Sequence, residues 1–62
     1  MTRKDYEAIA KAFDNHINDE SKTVKERQDI ANVAFTLSAV FQHDNERFDR
    51  VRFLDACGIV GA

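Results

Sequence analysis

Sixty-two residues, with nine Lys and Arg against eleven Asp and Glu, one Cys, two Gly and neither Pro nor Trp, give room for one small domain with a net charge of −2. At that size folding buries only about 60% of the surface the unfolded chain exposes, so one thin core is the ceiling and a second copy or a partner is a natural source of further stability. A lone Cys57 excludes an internal disulfide and a Cys-x-x-Cys zinc module, and the charge supplies no long-range field for nucleic acid or an anionic membrane.

The longest stretch without charge or His, Ile30 to Gln42, falls short of the roughly 18 residues of a membrane helix, and Met1-Thr-Arg-Lys-Asp-Tyr-Glu lacks a signal peptide's apolar run. The expectation is a soluble, unprocessed chain in a reducing cytoplasm, with residues 1–62 forming one domain.

Thr2, three residues before Asp5, has the spacing of a helix N-cap and predicts a first helix over 3–17. Tyr6, Ile9, Ala10, Phe13 and Ile17 share a strip about 100° wide, while Lys4, Glu7, Lys11 and Asp14 lie elsewhere on the cylinder. Asn18-Asp19-Glu20-Ser21-Lys22 has no apolar residue and competes for backbone hydrogen bonds, which marks a connection.

Thr23-Val24-Lys25-Glu26 is a reciprocal capping box that opens a second helix, over 24–43. Ile30, Val33, Ala34, Leu37, Val40 and Phe41 recur at three- and four-residue steps and are expected on its buried side. Val24, Ala31, Phe35 and Ala39 form a second apolar line. This line has two readings: it packs one of the other helices, or it is a homodimer seam or partner surface where small Ala31 and Ala39 allow close approach.

Asp49 caps a short third helix over 50–57, with Phe48 and Phe53 spaced as a hydrophobic staple around that cap. Gly58 supplies a left-handed stop, and Ile59 is placed to fold back on Leu54. Phe48, Phe53, Leu54, Cys57 and Ile59 then form a lid over the core. The fold class is all-α: a three-helix domain with a long central helix and a short C-terminal one.

Signals for chemistry are weak. Cys57 stands at the C-terminal end of a helix, where the dipole opposes a thiolate, and reads as a core thiol. His16 and His43 lack metal-ligand spacing, and no Gly-rich phosphate loop, nucleophile elbow or zincin motif occurs. No catalytic residue, metal ligand or cofactor is therefore assigned. Arg47, Arg50 and Arg52 after a short turn resemble a helix-turn-helix reading element. They are interleaved with Asp44, Glu46, Asp49 and Asp55, so residues 44–62 carry three positive and four negative side chains.

The segment Asn45-Glu46-Arg47-Phe48-Asp49-Arg50-Val51-Arg52-Phe53-Leu54-Asp55-Ala56-Cys57-Gly58 resembles the ending of a large group of short proteins encoded by actinobacterial phages, mycobacteriophages especially. Asp5-Tyr6 followed by Ile9-Ala10 is similar to their usual opening, whereas a Pro often stands where this chain has Glu46. The resemblance covers about a third of the chain. It implies a setting, the cytoplasm of an infected bacterium, and an accessory role; it carries no activity, cofactor or catalytic residue. The expected function is a non-catalytic interaction protein, acting as a homodimer or on a host or phage protein, with a small DNA-binding regulator using Arg47, Arg50 and Arg52 as the alternative.

Overall fold

In the computed structural model of the protein, which describes residues 1–59, three helices follow one another: α1 (Arg3–Ile17), α2 (Val24–Asp44) and α3 (Arg50–Ala56). No strand occurs among the described residues, and the all-α expectation holds with boundaries displaced by one residue at the ends of α2 and α3. Each helix begins where its cap fixes it. Thr2 accepts from the Asp5 N–H while the Asp5 carboxylate accepts from the Thr2 N–H at 2.8 Å, and Thr23 and Glu26 repeat the exchange at 3.1 and 3.0 Å. At α3, Asp49 accepts from the Arg52 N–H at 3.0 Å, and the staple rings of Phe48 and Phe53 lie 5.5 Å apart.

The connections are held as tightly as the helices. Asp19 accepts from both the N–H and the hydroxyl of Ser21 and from Lys22 Nζ, so Asn18–Lys22 folds back on itself in an Asx turn. Asn45 does the same in the second connection, taking the Arg47 N–H on its side chain and the Phe48 N–H on its carbonyl. That tight turn delivers Phe48 directly into the interior.

A complete Schellman ending closes α3: the Gly58 N–H bonds to the Asp55 carbonyl and the Ile59 N–H to the Leu54 carbonyl, with Gly58 at φ 85°. Ile59 packs against the core as the sequence predicts. Gly58 also lies against the end of α1, where an added Cβ would fall 2.5 Å from the Asp14 carboxylate and 3.1 Å from the Asn18 amide.

The interior comprises Ala10 of α1, Ala34 of α2, and Phe48, Phe53, Leu54 and Cys57 from the lid, flanked by half-buried Tyr6, Ile9, Phe13, Ile17 and Phe41. Each helix touches both others to a similar extent. Three cylinders in mutual contact place their axes at the corners of a triangle, so α2 sees its two neighbours only about 60° apart and serves both from a single face. Ala34, Ser38 and Phe41 occupy the middle of that face. This corrects the expected buried line of α2: Val33 and Val40 are 53% and 55% exposed, because they lie beyond the arc that two adjacent neighbours can cover.

Two predictions follow from these ends. Gly58→Ala loses about 1–2 kcal/mol in urea denaturation, chiefly through the left-handed φ, since the Asp14 side chain can give way to the new methyl. An unchanged midpoint would count against the Schellman geometry. The carboxyls of Asp5 and Glu26 are each held below the ordinary range, first by the N–H and then by the hydroxyl of the Thr they cap. Their stabilisation is complete above about pH 5 and declines as the pH falls through about 4 and below. The melting temperature is therefore flat from neutrality to about pH 5 and then drops, and Glu26→Gln removes part of that drop.

Candidate interaction surface

Four of the chain's six aromatic rings meet at one junction: Tyr6 of α1, Phe41 of α2, Phe48 of the second turn and Phe53 of α3. Their centroids lie 4.7–5.6 Å apart in tilted or edge-on pairs, the favourable arrangement for ring quadrupoles. Phe13 packs against the core nearby. Phe35 takes no part.

Phe35 lies instead on the flank of α2 with Val24, Ala31 and Ala39, within an arc of about 80° at 100° per residue. Val24 is 65% and Phe35 38% exposed, Ala39 is exposed and Ala31 half-buried. The second apolar line therefore faces outward and packs neither α1 nor α3 as a core stripe. On the opposite flank Val33 and Val40 are exposed as well. Between them run Asn32 and Thr36, whose hydroxyl is turned inward onto the Asn32 carbonyl at 3.1 Å. From Ile30 to Gln42 no charged side chain stands anywhere around the helix. The result is an uncharged, mostly apolar outer side of α2 about 20 Å long.

The three arginines of the DNA-binding alternative part company. Arg50 is half-buried and donates from Nε to the Ser38 hydroxyl at 3.2 Å, while that hydroxyl donates to the Phe35 carbonyl at 2.7 Å. Ser38 is the one buried polar residue among those described, and this tie satisfies it while fixing α3 against α2. Arg47 and Arg52 are exposed and border a groove on the other side of α3, between that helix and the start of α1. The sequence analysis assigned Ser38 no role; its spacing between Ala34 and Phe41 was the available signal.

Cys57 is fully buried, and that burial, with a smaller effect from the Asp14 carboxylate, pushes its thiol up to about 11. The thiol is thus neutral at physiological pH. His16 and His43 are both exposed, and no group of three or more His, Cys, Asp and Glu that could hold a metal occurs among the described residues. No helix among the described residues is long and apolar enough to cross a membrane. Comparison with protein-family models, curated proteins and solved structures finds no match to this chain.

Iodoacetamide reactivity reads the state of Cys57. At pH 8 the folded chain is alkylated about a hundredfold or more slower than the urea-unfolded chain, since both the raised pKa and the burial suppress thiolate attack. Equal rates in the two states would place the thiol outside the core.

Proposed function

We propose that this chain is a non-catalytic interaction protein that works by docking the outer side of α2, in the first instance against a second copy of itself. The observation that carries this reading is the uncharged stretch from Ile30 to Gln42, where Val33, Phe35, Ala39 and Val40 stand exposed. Depletion of charge with a retained aromatic anchor is the composition of an interface centre, not of an ordinary solvated helix face. Small Ala31 and Ala39 beside Phe35 allow two helices to approach closely along this line. Because the surface carries no charge, a second copy meets no like-charge repulsion there, and pairing would thicken a domain whose described extents are only 35 × 18 × 16 Å.

A host or phage protein presenting an apolar helix would use the same surface. The C-terminal resemblance supports the setting: an accessory protein in the cytoplasm of an infected bacterium. The regulator reading retains Arg47 and Arg52 as exposed cations, but Arg50 is spent on Ser38 and faces away from them.

Light scattering coupled to size exclusion tests the reading with Phe35→Glu as the probe. The wild-type chain runs as a dimer, and the variant dissociates about tenfold or more readily with its circular dichroism unchanged, because Phe35 lies outside the core. A wild-type monomer at all concentrations, with no partner lost on the substitution, would overturn it.

A further inference from the structure

The start of α1 and the turn leading into α3 enclose an open groove of about 390 Å³, and no residue of the Phe35 line belongs to its lining. Its lining brings Tyr6, Phe48 and Phe53 together with Arg3, Arg47, Arg52, Glu7 and Asp49. The two carboxylates are already engaged: Glu7 takes the Arg3 guanidinium at 3.2 Å, and Asp49 caps α3 through the Arg52 N–H. The guanidinium groups of Arg47 and Arg52 have no hydrogen bond or ion pair with any described residue. Two planar, bidentate donors without a partner among the described residues therefore line the same groove as three aromatic rings.

We infer that this groove binds an acidic segment of a protein partner, which seats an apolar side chain against Tyr6, Phe48 and Phe53 and sets a carboxylate on Arg47 and Arg52. The fork of a guanidinium matches a carboxylate in geometry as well as charge. A nucleic acid fits less well. Phe48 and Phe53, 8% and 5% exposed, offer no open face for base stacking, and two arginines displace too few counterions to hold a phosphate backbone. The inference rests on the interaction-protein reading but not on the Phe35 surface, which lies on a different helix flank.

The test selects binders to the full chain from a bead-bound library of random peptides about ten residues long. Selected sequences are then titrated with Tyr6 fluorescence as the readout, since Tyr6 is the only Tyr and the chain has no Trp. Peptides with Asp or Glu beside Leu or Phe are enriched, their Gln-substituted versions bind about tenfold or more weakly, and Arg47→Gln with Arg52→Gln loses the same margin. Phe35→Glu binds them as the wild type does, which separates this site from the dimer surface. The inference is overturned by no acidic enrichment, by equal binding of the Gln peptides or of the double variant, by random duplex DNA displacing the peptides at low salt, or by loss of self-association in the double variant, which would give the groove to a second copy.

Discussion

The junction of Tyr6, Phe41, Phe48 and Phe53 is the contact on which the three helices depend. Each helix contributes one ring, and the fourth comes from the turn that joins two of them, so no pair of helices can assemble it alone. A chain of this length has few apolar side chains to bury, and concentrating four large rings at one point gives more buried area per residue than an even distribution would. Apart from Leu54, what remains between the helices is filled by small groups: Ala10, Ala34, Ser38 and Cys57. The interior is consequently narrow, and α2, the longest element, has only one face in it.

Local signals were fully legible in the sequence. Both capping boxes, the Asp49 cap, the Phe48–Phe53 staple and the Gly58 stop are set by residues within a few positions of one another, where chain geometry leaves little choice. The arrangement around α2 was not legible, because periodicity says which residues share a side of a cylinder but not where the neighbours stand. Val33 and Val40 looked like core and are exposed, while polar Ser38 is buried. Ser38 becomes acceptable inside only once Arg50, twelve residues away, supplies a donor, and such a pairing has no periodic signature.

The candidate surfaces follow from the same triangle. Once α1 and α3 occupy one face of α2, its two flanks and its back must look outward, and that outer stretch carries neutral side chains where α1 carries alternating charges. The groove arises at another corner, where the tight Asn45 turn lifts Arg47 and the short α3 presents Arg52 beside the first turns of α1. The sequence grouped Arg47, Arg50 and Arg52 together by proximity along the chain. In space, residues 50 and 52 of a helix point in nearly opposite directions, and so one arginine became structural while two border a cleft.

Gly58 pressed against Asp14 and Asn18 bears on how the molecule comes into being. It ties the close of the short lid helix to the close of the opening rod, so the seam is fastened between residues far apart along the chain. A contact of that reach rewards the chain only after the intervening loop has been closed, so sealing the interior is one cooperative event instead of a stepwise accumulation.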